Sequence, residues 1–144
     1  MGTTVRQMLS SKSDVYAVKA DDTVFDALRV MAERNIGAVL VVSDSGLEGI
    51  LSERDYARKV ILHGRMSHAT TVREIMTTNV VCVDPGWTAD ECMALMTEKR
   101  IRHLPVMDEG RLAGVISIGD VVRAVVDEQA FTIKSLERYL MIGG

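Results

Sequence analysis

Two short stretches of this 144-residue chain set a hydroxyl and a carboxylate three residues apart, directly after an apolar pair. They are Gly49-Ile50-Leu51-Ser52-Glu53-Arg54-Asp55 and Gly114-Val115-Ile116-Ser117-Ile118-Gly119-Asp120. Glycine, two aliphatics and serine read as the end of a strand, and the acid follows at the mouth of a helix. Such a corner gathers a hydroxyl, free backbone N–H groups and the positive end of a helix, which suits a phosphate. An aspartate there repels phosphate unless it faces hydroxyls, and a carboxylate accepts from both hydroxyls of a ribose diol. A ribose phosphate meets both demands. The same spacing also makes a helix N-cap with an acid in its first turn, a purely structural role. Recurrence of the pattern favours the ligand.

That recurrence belongs to a longer repeat. Val18–Val60 lies over Val83–Val125 without a gap at an offset of 65, with identities that include Thr23/Thr88, Met31/Met96, Gly49/Gly114, Ser52/Ser117 and Asp55/Asp120. Upstream, Val5–Leu9 matches Val72–Met76 at an offset of 67, so the first copy carries two extra residues near Ser10–Asp14. Within each copy, β-rich runs (Val15–Val18, Val80–Val83) precede helices that open at Thr23 and Thr88. Val24, Ala27, Leu28, Met31 and Ala32 share one helical face, as do Ala89, Cys92, Met93 and Met96. Strand pairs follow, Ala38–Val42 with Gly49–Ser52 and Leu104–Met107 with Gly114–Ser117, then helices from near Arg54 and Asp120. Each copy therefore reads β-α-β-β-α. A unit that small buries little surface alone, so the two copies are expected to pack together about a pseudo-twofold axis. Ile133, Leu136 and Leu140 at helical spacing predict a further helix over Phe131–Ile142.

The copies differ in charge. Arg54 lies inside the first motif, and Arg58 and Lys59 lie one turn past Asp55. Any one surface cation belongs by default to a solvated face. A bound phosphate nonetheless needs cationic partners, which makes Arg54 and Arg58 phosphate candidates. Arg102-His103 stands where the first copy has Gly37-Ala38.

The repeat, its Gly-x-x-Ser-x-x-Asp endings and Ile101-Arg102-His103-Leu104-Pro105-Val106 resemble a tandem pair of CBS domains over residues 5–62 and 72–126. The resemblance implies an α+β fold of two such repeats, with clefts between them for adenosine-containing ligands: AMP, ADP, ATP, NAD or S-adenosylmethionine. It implies Ser52 and Ser117 on phosphate and Asp55 and Asp120 on ribose. Arg102 and His103 would point toward phosphate. Ile36, Gly37 and Ala38, with Ile101, Leu104 and Pro105, would wall the adenine. The expected division is 1–62 and 72–126 for the domains, 63–71 for the linker and 127–144 for the helical extension. The expected function is a regulatory, signal-transducing module and not an enzyme, acting on an unknown protein partner. The alternative is a constitutive scaffold of the same fold that uses no nucleotide.

Composition narrows the field further. Twenty acidic against seventeen basic residues give a net charge of −3, which argues against nucleic acid and anionic membranes as partners. No apolar run has membrane-spanning length, no signal-peptide stretch opens the chain, and two cysteines build no disulfide framework; the expected location is cytoplasmic. Histidines and cysteines show no metal-ligand spacing, and no nucleophile elbow is present. Apolar positions on the last helix of each copy (Tyr56, Val60, Ile61, Leu62; Val121, Val122, Val125, Val126) predict a homodimer.

Overall fold

The computed structural model describes residues 2–12 and 15–143, with side chains through Ala130. In chain order the elements are α1 (Val5–Leu9), β1 (Ala17–Val18), α2 (Val24–Arg34), β2 (Ala38–Ser43), β3 (Gly46–Ser52), α3 (Glu53–Lys59), α4 (Val72–Ile75), α5 (Ala89–Lys99), β4 (His103–Asp108), β5 (Arg111–Ser117) and α6 (Ile118–Gly143). The architecture is mixed α+β with two repeats. Packing divides it otherwise than the repeat boundaries do: one compact unit is Asp14–Val81, and the other joins Met1–Ser13 to Cys82–Gly144. The helix that opens each copy in sequence thus packs in the unit of the opposite copy.

In the Asp14–Val81 unit, β1 pairs in parallel with β2, and β2 pairs antiparallel with β3. Helix α2 starts at Thr23, whose hydroxyl accepts from the Asp26 N–H, and it buries Val24, Ala27 and Met31. These pack with Val39, Val41, Leu51, Val60, Val72 and Ile75 in one core. Ala32, placed on the buried face by periodicity, is exposed. Residues 63–71, expected as a linker, are ordered parts of this unit: Phe25 stacks on His68 at 3.9 Å, and Thr70 is buried with its carbonyl accepting from Val24 N–H at 2.8 Å. Helix α4 brings Thr77 against β3, where it exchanges both backbone hydrogen bonds with Ile50 at 3.0 and 2.9 Å.

In the other unit, α1 is locked to the loop before α5 by Val5 N–H to Trp87 O at 2.7 Å and Arg6 N–H to Pro85 O at 3.0 Å. Helix α5 buries Ala89, Cys92 and Met96. The expected strand Val80–Val83 does not form; Val83 alone bridges Val106. The reason is Pro105. In the first copy the equivalent residue Leu40 donates its N–H to Tyr16 O at 3.3 Å, a bond that proline cannot make. The last helix also departs from expectation. The first copy stops its helix before Gly64, which takes a left-handed φ of 68°, whereas the second has Gln129 at that position. Helix α6 therefore runs on unbroken to Gly143, in place of a separate helix over 131–142. The side chains of Ile133, Leu136 and Leu140 lie outside the described residues.

Candidate functional site

Each serine–aspartate motif forms a strand-to-helix corner, and the antiparallel register sets its neighbours. Pairing of β2 with β3 puts Ala38 opposite Ser52; pairing of β4 with β5 puts His103 opposite Ser117. A backbone bond closes each corner, Glu53 N–H to Gly37 O at 3.0 Å and Ile118 N–H to Arg102 O at 2.8 Å.

Both aspartates turn back on their serines. Asp55 N–H donates to Ser52 Oγ at 3.2 Å, and Asp55 Oδ2 accepts from Ser52 N–H at 2.9 Å and from its hydroxyl at 3.0 Å. Asp120 N–H donates to Ser117 Oγ at 3.2 Å, while Asp120 Oδ2 accepts from Ser117 N–H at 2.8 Å. The capping role weighed from the spacing is therefore realised at both corners. Each carboxylate also holds a lysine. Lys59 Nζ lies 3.3 Å from Asp55 Oδ1 and donates to Ile75 O at 3.0 Å. Lys12 Nζ lies 2.7 Å from Asp120 Oδ2 and donates to Val115 O at 2.8 Å, with Arg123 on Asp120 Oδ1 at 2.9 Å.

Electrostatics follow from that arrangement. Burial pushes the Asp120 carboxyl up, but hydrogen bonds from Lys12 and Ser117 and the lysine charge hold it below the usual carboxylate range. Burial lowers the His103 imidazole, and Lys12 and Arg102 lower it further against the opposing pull of Asp120. Beside the first corner, Ile36 and Gly37 line a cavity of about 230 Å³ with Leu28, Met31, Ala32, Asn35 and Glu53.

Residues 5–62 and 72–127 each match the family model of the CBS domain. The chain belongs to the CBS-domain family. It is 44% identical over 128 residues to the CBS domain-containing protein CBSX3, mitochondrial, of Arabidopsis thaliana, covering 85% of this chain and spanning 62% of that relative's length. A solved structure of a putative signal-transduction protein with CBS domains from Burkholderia ambifaria MC40-6 superposes with a TM-score of 0.85 at 54% identity, covering 88% of this chain and 96% of that one. The CBS domain pair of protein MJ0100, solved in complex with 5′-methylthioadenosine and S-adenosyl-L-methionine, gives a TM-score of 0.78 at 25% identity, over 89% of this chain and 99% of that one. Such relatives are named as CBS-domain or signal-transduction proteins. Among the described residues, no helix is long and apolar enough to cross a membrane.

The CBS corners bring some of the expected site residues together and leave others apart. Ser52, Asp55 and Gly37 meet at one corner, and Ser117, Asp120, Arg102 and His103 at the other. Ile36 and Gly37 face the cavity; Ala38 is half-buried beside Ser52. Arg54 and Arg58 are exposed on α3, and no ion pair holds either among the described residues. Of the second adenine wall, Leu104 and Pro105 are buried and Ile101 is half-buried. Sequence reasoning missed Lys12. Its signal is the two-residue insertion at Ser10–Asp14, which holds it and which the second copy lacks.

Proposed function

We propose that this CBS pair binds adenosine-containing ligands and passes their presence to a protein partner, as a regulatory module and not a catalyst. The observation that carries the reading is the duplicated corner: in both units a serine hydroxyl, a strand-to-helix turn and an aspartate stand beside lysine. A carboxylate offers about four lone-pair sites. Capping and ion pairing occupy three of them at each aspartate, and a ribose hydroxyl donates to the one that remains. Phosphate meets the serine and nearby cations, and the base lies toward Ile36–Ala38 in one unit and toward Ile101 in the other. The adenosine ligands in the MJ0100 CBS pair support this ligand class. AMP, ADP, ATP and NAD are the phosphate-bearing candidates.

Two chains pair in the same reading. Val60 and Val121, expected at the interface, are fully buried in the fold; Ile61, Leu62, Val122 and Val126, at 55%, 77%, 43% and 52% exposure, remain for a partner copy. Light scattering on the full chain tests this, a homodimer mass being expected. The ligand reading is tested by the melting temperature with AMP, ATP, NAD and 5′-methylthioadenosine, together with mass spectrometry of co-purified small molecules. Ligand at a hundredfold excess over Kd adds about 2.7 kcal/mol of stability, a shift of several degrees. No shift with any of them, and no nucleoside in the purified protein, would leave a CBS scaffold without nucleotide dependence.

A further inference from the structure

We propose that Lys12 sets the ligand class of the unit formed by Met1–Ser13 and Cys82–Gly144, making its Ser117–Asp120 corner a site for adenosine ligands that carry phosphate. The inference rests on the reading that this corner takes an adenosine ligand; it adds which one and by what residue.

A lysine ammonium has three N–H donors. Two of them meet Val115 O at 2.8 Å and Asp120 Oδ2 at 2.7 Å, and the side chain keeps 34% of its surface exposed. The third donor is left for a group arriving from solvent. Two fixed acceptors pin the ammonium to the carboxylate that would hold the ribose, so a positive charge stands beside the bound nucleoside. Lys12 does not stand alone. Arg123 pairs with the other oxygen of Asp120, and Arg102 precedes His103, which faces Ser117 across the sheet. Three cations thus gather at a corner with one carboxylate, and the corner carries a surplus of positive charge. A phosphate is drawn to that surplus. A neutral thioether gains nothing from it, and a sulfonium cation is repelled.

The other corner carries less of this surplus, since Arg54, Arg58 and Lys59 stand there against two acids. Its acids Glu53 and Asp55 have one lysine, Lys59, within ion-pair distance, and that lysine comes from the corner's own helix. Lys12 comes instead from the opening segment of the first repeat, which folds into the second repeat's unit. The inserted residues at Ser10–Asp14 have no counterpart before the second copy, so the selecting cation is built into one unit only.

The test is calorimetry with AMP and 5′-methylthioadenosine on the full chain carrying Asp55→Asn, so that the second corner dominates the signal. Lys12, Lys12→Met and Lys12→Arg are compared, and the melting curve of each variant checks the fold. Lys12→Met is expected to weaken AMP by about tenfold or more while leaving 5′-methylthioadenosine within about twofold, and Lys12→Arg is expected to keep most of the AMP affinity. Equal losses for both ligands, or no loss of AMP, overturns the role of Lys12 and leaves the corner a ligand site. Absence of binding by the parent chain, with both aspartates native, overturns the ligand reading itself and this inference with it.

Discussion

The carbonyl oxygen of Thr77 lies 2.8 Å from the point where a Cβ on Gly49 would stand. That oxygen accepts the Ile50 N–H at 3.0 Å, so it cannot retreat without breaking a sheet bond. The repeated glycine of each motif therefore answers to a chain crossing over the strand. Gly114 has the same need in milder form, because its Cβ would meet Leu9 Cδ2 at 2.8 Å, the tip of a flexible side chain. Gly49→Ala should cost about 1–3 kcal/mol in urea unfolding, and Gly114→Ala distinctly less. Equal costs would count against the backbone clash.

His103 should titrate below the ordinary histidine range, since burial and then Lys12 act on it and the Asp120 charge opposes them only in part. Its folded pKa lies under the unfolded value near 6.5, so the unfolded chain binds the proton first. Its contribution to stability is thus complete above about pH 6.5 and is lost as pH falls through the folded pKa. Lys12→Met should move the imidazole resonance midpoint upward in NMR titration. A midpoint that stays put would break the electrostatic link between these two residues.

The thiol of Cys92 is buried, and burial with the Glu91 charge pushes it up to about 11; burial raises Cys82 as well. At pH 8 both should remain protonated, and an aromatic disulfide reagent should label the native chain slowly and the urea-unfolded chain at once. Rapid native labelling of two thiols would contradict this.

Removal of residues 2–12 should destabilise the second repeat more than the first. Val5 is fully buried and its N–H bonds Trp87 O at 2.7 Å, so hydrogen exchange protection should fall in α5 and β5 and hold in β2 and β3. Loss confined to the first repeat would refute the exchanged packing.

Much of this was legible in the sequence because local signals agreed. Thr23 and Thr88 cap their helices as their positions predict, and both hairpins form where near-continuous apolar runs flank a turn. Other features were hidden for physical reasons. That α1 folds with the second copy is a contact across most of the chain length, which no periodicity encodes. Val80-Val81-Cys82-Val83 reads as strand by composition, yet a strand needs a neighbour's N–H, and Pro105 withholds it. At the corners, spacing put serine and aspartate at a strand-to-helix junction but could not show that a lysine from an inserted loop would close on Asp120.

In the proposed function, Asp55 and Asp120 hold the ribose of an adenosine ligand. Asparagine at each position keeps an oxygen that accepts the serine N–H, so the cap survives while the charge is lost. Calorimetric titration of AMP, ATP and 5′-methylthioadenosine into the native chain and into the Asp55→Asn, Asp120→Asn double variant tests this most directly. Saturable binding to the native chain is expected, with a loss of about tenfold or more for every adenosine ligand in the variant. Binding to the folded double variant as tight as to the native chain would contradict it.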